Sequence, residues 1–135
     1  MKNIQNSTGT IIIPGGHPNP PEPYEIDVAL ILAQHYQTEV EFLIPIDDYK
    51  RKTPDIKMLG VEWEIKSPQG KSKSTIGTQF RRGSKQANNI VLDTRRTKLK
   101  YDIIEKQVII EANQRTSLNK VILINKSKKV VEIKM

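Results

Sequence analysis

Hydrophobic and polar positions in the first half of the chain follow a helical pattern and then strand-like patterns. Residues 23–36 read PYEIDVALILAQHY, which opens with a proline suited to a first helical turn and is rich in good helix formers. Three strand-like runs follow: EVEFLI (39–44), DIKM (55–58) and VEWEIK (61–66). Gly60 lies at the break between the last two runs and indicates a tight hairpin. This half is therefore predicted to contain one helix and three strands.

The second half of the chain mixes the same two patterns. STIGTQFRRGSKQAN (74–88) is predicted to be an amphipathic helix, with apolar residues on one face and basic residues on the other. NIVLD (89–93) has the composition of a buried strand, and residues 98–114 are predicted to be helical. The end of the chain, KVILIN and KKVVEIK around NKSK, is predicted to form a hairpin.

These elements indicate a single domain of the α/β class, with a mixed α+β sheet, in a chain of 135 residues. Residues 1–21 contain GTIIIPGGHPNPP, with four prolines and three glycines, and are predicted to be irregular apart from a short edge strand at 11–13. Residues 22–93 form the predicted core, and residues 94–135 form a C-terminal extension. The sequence has no internal repeat and no domain linker.

Positive charge is concentrated in one stretch. The net charge is +7, and residues 66–100 hold ten Lys or Arg but a single acid, Asp93. This concentration favours a polyanionic partner, with a solvated basic face as the alternative. The absence of cysteine excludes a disulfide framework and a cysteine nucleophile. No apolar run reaches the roughly 20 residues of a membrane span, and the first residues lack the apolar core of a signal peptide.

Alternation along VEWEIK predicts a cluster of charges. Successive side chains of a strand point to opposite faces, so Glu64 and Lys66 are neighbours on one face, and the preceding hairpin strand can deliver Asp55 beside them. Two carboxylates and an ammonium suit a hard divalent cation held against a phosphate. The alternative is an exposed face of an amphipathic hairpin, on which the E-x-K spacing is accidental.

The same residues carry a resemblance to a known family. Pro54-Asp55 followed by Glu64-Ile65-Lys66 fits the PD-(D/E)XK nuclease motif, within the element order helix, three strands, helix, strand of that restriction-endonuclease-like core. The segment TPDIKMLGVEWEIKSPQGKSKSTIGTQFRRGSKQANNIVLDTRR looks like the C-terminal tRNase toxin domain of CdiA, the contact-dependent growth inhibition toxin. The likeness runs from about His17 to Leu99 and is densest over residues 53–96.

This resemblance implies a metal-dependent endonuclease that cleaves tRNA in a competing cell. It implies that Asp55 and Glu64 are metal ligands for Mg²⁺, Mn²⁺ or Zn²⁺, and that Lys66 is the catalytic amine. It further implies a cognate immunity protein, secretion as the C-terminal part of a larger toxin, and action in the target-cell cytoplasm. An activating factor of the host cell is a further partner that the resemblance leaves open.

Other residues are candidates for the same chemistry. Many nucleases of the wider fold carry a glutamate on the first helix, and Glu25 is the candidate here for a metal ligand, with Glu22 as the substitute. A glutamate favourably placed near the positive end of the helix dipole is the alternative. Gln79 matches the polar residue that some branches of the family place on the second helix, and it is the candidate for binding a phosphate or the attacking water. A glutamine tied to backbone is the alternative. His17 is either a general acid or an anchor for the N-terminal segment.

Basic residues around the second helix are predicted to contact the RNA backbone, since such contacts position a substrate without reading its sequence. They are Lys71, Lys73, Arg81, Arg82 and Lys85, and Arg95 and Arg96 extend that surface. Two other functions stay open: a DNA endonuclease of the same fold, because the core motif does not distinguish the sugars, and a non-catalytic nucleic-acid-binding module.

Overall fold

The computed structural model of the chain describes the backbone of residues 2–5 and all atoms of residues 9–46, 53–72 and 74–135. These residues contain eight strands and three helices, so the predicted mixed α+β class is confirmed. The elements are β1 (Lys2–Gln5), β2 (Thr10–Ile13), α1 (Pro23–Tyr36), β3 (Glu39–Phe42), β4 (Ile56–Met58), β5 (Val61–Lys66), α2 (Thr75–Gly83), β6 (Asn89–Asp93), α3 (Tyr101–Gln114), β7 (Lys120–Ile124) and β8 (Val130–Lys134).

The chain divides into two compact units, the first ending at Trp63 and the second beginning at Glu64. Strand β5 therefore contributes residues 61–63 to the first unit and residues 64–66 to the second. None of the helices in the described residues combines the length and hydropathy that crossing a membrane requires.

In the first unit, β1 pairs antiparallel with β2, β2 pairs parallel with β3, and β3, β4 and β5 follow as antiparallel neighbours. The prediction that residues 1–21 are irregular is wrong at β1. The strand predicted at 11–13 is present as β2, but it is not an edge strand, because it has a partner on each side. Three consecutive isoleucines suit a strand, but Lys2–Gln5 gains strand conformation only by pairing with them.

Two glycines in this unit permit a close packing contact and a tight turn. A Cβ at Gly9 would overlap the Ala33 carbonyl of α1, so the chain entering β2 can lie against the helix only without a side chain. Leu59 and Gly60 both have positive φ, at 55° and 78°, which is the backbone of a two-residue hairpin turn. This confirms the predicted turn, and the indole Nε1 of the buried Trp63 donates to the Met58 carbonyl at 3.0 Å.

In the second unit, β5, β6 and β7 are parallel neighbours, and β8 pairs antiparallel with β7. One face of this sheet packs against α2 and α3. The buried cluster comprises Ile76, Phe80, Ile90, Leu92, Leu99, Ile104, Val108, Ala112, Leu118, Val121 and Leu123. Parallel strands buried on both faces read as continuous apolar runs, and every residue of β6 is buried, as the sequence predicted.

Helix α2 is shorter than predicted, because it ends at Gly83 rather than at residue 88. Ser84 caps it, and a non-helical turn follows in which the Gln86 N–H donates to the Gly83 carbonyl at 2.9 Å. Glycine, serine and asparagine weaken a helix, so the apolar spacing that continues to Ala87 does not extend it. Helix α3 likewise begins at Tyr101 rather than at residue 98.

Candidate active site

The carboxyl end of β5 carries a buried ion pair in the second unit. The Lys66 Nζ lies 3.3 Å from the Glu64 Oε2, and the side chains are 19% and 6% exposed. Parallel pairing sets Glu64 level with Ile90 and Lys66 level with Leu92, and both partners belong to the cluster beneath α2. The two charges therefore share the face that the helix covers. The alternative interpretation, an exposed amphipathic face, is wrong at Glu64.

Gly83 at the end of α2 leaves room for the lysine arm. A Cβ placed there would lie 3.6 Å from the Lys66 Cε and 2.9 Å from the Ile90 Cδ1. The hydrocarbon stem of Lys66 thus passes beside the helix backbone, and the side chain as a whole stays 19% exposed at the strand end.

A hydrogen-bond network that the sequence did not reveal fixes the segments after β5 and β6. Asp93 is fully buried, and its carboxylate accepts from the Arg95 Nε at 2.8 Å and the Arg95 Nη2 at 3.0 Å. The Ser67 Oγ donates to the same carboxylate at 2.9 Å. The Arg96 guanidinium donates to the Ser67 Oγ at 3.1 Å and to its carbonyl at 2.8 Å.

The network ties the residue after Lys66 to the last residue of β6, and so it holds the strand end that carries the ion pair. The Arg95 guanidinium is paired with the Asp93 carboxylate, and its side chain is only 13% exposed. The prediction that Arg95 extends an open RNA-binding surface is therefore wrong. The sequence signal for this ion pair was an acid at the end of an apolar strand, with two arginines two and three residues further on. Ser67 gave no such signal, because it lies 26 residues away from Asp93.

The first unit contains a cavity of about 290 Å³ that brings three predicted residues together. Glu25 of α1, Asp55 before β4 and His17 of the N-terminal segment all line it, and Glu22, the substitute for Glu25, lines it as well. The Asp55 N–H donates to the Trp63 carbonyl at 3.0 Å, which extends the β4–β5 hairpin by one pair and fixes the backbone of Asp55.

Glu25 caps helix α1 and also places a carboxylate of raised pKa in this cavity. Its Oε1 accepts from the Glu22 N–H at 2.9 Å, as one half of a capping box at the start of α1. Burial raises the pKa of Glu25, the hydrogen bond from Glu22 opposes that rise, and the negative charge of Asp55 adds to it. Two carboxylates that repel one another across a cavity form an environment that favours a cation.

Both nitrogens of the His17 ring contact backbone. The Asn19 N–H donates to Nδ1 at 3.1 Å, and Nε2 lies 2.9 Å from the Leu43 carbonyl. The two bonds are compatible only with a neutral ring whose proton is on Nε2. His17 is therefore the anchor of the N-terminal segment to the end of β3, which was one of its two predicted roles.

Comparison with known proteins places this chain in a family. A family model described as the contact-dependent growth inhibition CdiA C-terminal domain matches residues 52–130, more than half of the chain. The chain belongs to this family. A solved structure of a CdiA-CT/CdiI toxin and immunity complex from Burkholderia pseudomallei resembles this CdiA C-terminal domain with a TM-score of 0.63 and 23% identity, covering 91% of this chain and 98% of that one. At this identity the likeness shows the fold alone. Comparison with curated proteins gives no match.

The remaining predicted residues of this CdiA C-terminal domain lie on α2 and around it. Arg81, Arg82 and Lys85 are exposed, as is Lys71, and Lys73 lies outside the described residues. Gln79 is half-buried, and its side chain makes no hydrogen bond to another described residue, so the backbone-tied alternative finds no support.

The donors present suit a hard cation. Among the residues that the structure describes, no group of three or more Asp, Glu, His or Cys side chains is close enough to bind a metal. A Mg²⁺-type ion commonly takes only one or two carboxylates and completes its shell with water and substrate phosphate. Glu64, Asp55 and Glu25 supply the required oxygen chemistry, and their joint use as ligands stays a prediction.

Proposed function

We propose that this CdiA C-terminal domain is a metal-dependent ribonuclease that cleaves tRNA in a competing cell. The observation that carries the proposal is the Glu64–Lys66 pair, buried under α2 at the carboxyl end of a parallel strand. Removing two charges from water costs several kcal/mol per ion, and apolar residues of similar volume would serve a purely structural site as well or better. A lysine whose side chain is still 19% exposed in that place suits an anionic substrate.

Lys66 supports this chemistry by its charge. Its ammonium, aligned by the Glu64 carboxylate, is suited to offset the negative charge that grows on the phosphate oxygens during cleavage. The Ser67–Asp93 network holds the following residue and thereby limits the movement of the lysine backbone. Preorganised charge of this kind costs no reorganisation during the reaction.

A divalent cation is part of the proposal, held by Glu64 and Asp55, with Glu25 as a further ligand. When bound, it would polarise a phosphate oxygen and lower the pKa of a bound water. Asp55 enters from the sequence motif. The raised pKa of Glu25, caused first by burial and also by the Asp55 charge, supports a cation requirement in the cavity that these two residues line.

A cognate immunity protein is the proposed partner in the producing cell. The support is that the similar solved structure is described as a toxin and immunity complex. A net charge of +7 suits an acidic partner, since complementary charge speeds association. Delivery as the C-terminal part of a larger secreted toxin, with action in the target-cell cytoplasm, follows from the family and belongs to the same proposal.

The test is incubation of the purified domain with total tRNA and with plasmid DNA, in Mg²⁺, Mn²⁺ or Zn²⁺ and in EDTA. The expected result is tRNA fragments that EDTA abolishes. Asp55→Ala and Lys66→Ala should lose the activity, and Glu62→Gln, an exposed acid on the same strand, should retain it. Nicked plasmid with intact tRNA would overturn the choice of substrate, and cleavage that survives EDTA would overturn the metal requirement.

A further inference from the structure

Three parallel strands of the second unit end at one edge. Strands β5, β6 and β7 are parallel neighbours, so their carboxyl ends lie side by side. Lys66 ends β5, residues 94–100 follow β6, and the turn 125–129 follows β7. Neighbouring strands are about 4.8 Å apart, which sets the end of β7 about 10 Å from the end of β5 along the sheet.

The turn 125–129 is held against the segment that follows β6. The Thr94 Oγ1 and N–H both donate to the Ile124 carbonyl, at 2.7 and 3.0 Å. The Asn125 Oδ1 accepts from the Ser127 and Lys129 N–H groups at 2.9 and 3.0 Å, which closes the turn. The Tyr101 hydroxyl bonds to the Asn125 side chain and so joins the turn to the start of α3.

Five lysines project from these two segments, and we call them the lysine surface: Lys98, Lys100, Lys126, Lys128 and Lys129. All five are exposed. Within the described part of the chain none of their ammonium groups has an ion-pair partner, although Asp102 and Glu105 lie on the adjacent turn of α3. Like charges gathered without partners repel one another and destabilise the compact state.

The backbone of the turn gives a second, independent sign. Lys128 has φ of 64°, in the left-handed region that favours glycine or asparagine. The turn therefore carries a charge at a position where its backbone prefers another residue. A residue that opposes the local conformational preference is a pointer to function.

We infer that the lysine surface binds the phosphate backbone of an RNA substrate whose scissile phosphate lies at Lys66. The inference rests on the proposed ribonuclease function. RNA is favoured over an acidic protein because the surface lies on the same sheet edge as Lys66, so one polyanion can contact both. Lysines act on phosphates as point charges and contribute affinity without reading sequence.

The test is the salt dependence of tRNA binding by the full chain, carrying Glu64→Gln to slow cleavage, measured by fluorescence anisotropy with total tRNA from 50 to 200 mM KCl. The variant Lys126→Gln/Lys129→Gln is compared with Lys57→Gln/Lys106→Gln, which removes equal charge from exposed positions outside the lysine surface. Lys128 is not substituted, because its positive φ of 64° would make any change of residue there affect stability as well as charge. The melting temperatures of both variants are measured as the control for folding.

Losing two phosphate contacts should reduce the magnitude of the slope of log Kobs against log[salt] by about 1.5 relative to the control. It should also weaken binding about 30-fold in 0.1 M salt. Equal slopes in the two variants would overturn the inference and would indicate an acidic protein as the partner of the lysine surface. If the chain with Glu64 intact cleaves tRNA while the two lysine variants bind alike, only this inference fails. If the chain with Glu64 intact neither binds nor cleaves tRNA, the proposed function fails with it.

Discussion

Replacing Glu64 by glutamine separates the two roles that a buried ion pair can have. Glutamine keeps the shape of the side chain and removes its charge, so Lys66 loses the carboxylate 3.3 Å away. At an effective dielectric constant of 20, a pair at this distance attracts by about 5 kcal/mol. The variant also escapes the desolvation cost of a carboxylate that is 4% exposed, which is several kcal/mol.

These two terms cancel only in part, because the Lys66 ammonium is left without its anion. The free energy of unfolding is therefore expected to fall by about 1 to 2 kcal/mol, less than for a fully buried pair because the Lys66 side chain is 19% exposed, and this corresponds to several degrees in Tm for a chain of this size. Activity should behave differently, because the aligned charge is needed only where negative charge grows on the substrate. Losing one such electrostatic group costs roughly 10²- to 10³-fold in rate.

The assay is single-turnover tRNA cleavage followed on a denaturing gel, with Tm measured on the same preparations. Glu62→Gln is the matched control, since Glu62 is an exposed acid on the same strand and should give the parent rate and Tm. A parent rate in Glu64→Gln would refute the catalytic assignment. A Tm lowered by more than about 10 °C would show that the pair serves mainly folding and that the partial cancellation is wrong.

Three further predictions concern stability. Lys128→Gly should raise the free energy of unfolding, measured in urea titrations, by roughly 0.5 kcal/mol, because glycine accepts the φ of 64°. Lys126→Gly in the same turn should lower the free energy of unfolding. A decrease in both variants would contradict the assignment of strain to Lys128. Asp93→Asn should destabilise by about 3 kcal/mol, because it leaves a buried arginine without its anion, and a loss below 1 kcal/mol would show that the network is dispensable. Burial raises the pKa of Glu25 above the ordinary 4.5, so its ionised form weakens the fold as pH rises above 4.5. Glu25→Gln should therefore raise Tm at pH 7 and leave it unchanged below pH 4.5, with Asp27→Asn as the exposed control. A Tm difference that is independent of pH would contradict this.

Local pattern predicted the elements whose burial is simple. The helix at Pro23–Tyr36 and the strands at Val61–Lys66 and Asn89–Asp93 have the predicted bounds, because their apolar spacing and flanking residues agree. The strand at Lys2–Gln5 has no apolar period, and its conformation comes from pairing with Thr10–Ile13. Tertiary pairing of this kind leaves no mark in the segment itself.

The candidate site shows the same division between local and distant causes. Strand alternation predicted that Glu64 and Lys66 share a face. Their burial was not predictable from it, because that depends on β5 pairing in parallel with β6 and so bringing α2 over the pair. The bond between Ser67 and Asp93 spans 26 residues and follows from the same pairing.

The costs to stability in the second unit fall along one edge of its sheet. The desolvated Glu64–Lys66 pair, the lysine surface and the left-handed Lys128 all lie at or after the carboxyl ends of β5, β6 and β7. Between them, at the end of β6, the buried Asp93–Arg95 pair and its serine supply firm hydrogen bonds. Proteins break local rules mainly where function requires it and compensate nearby. Costs gathered around a reinforced centre are what an edge shaped to hold a polyanion would show.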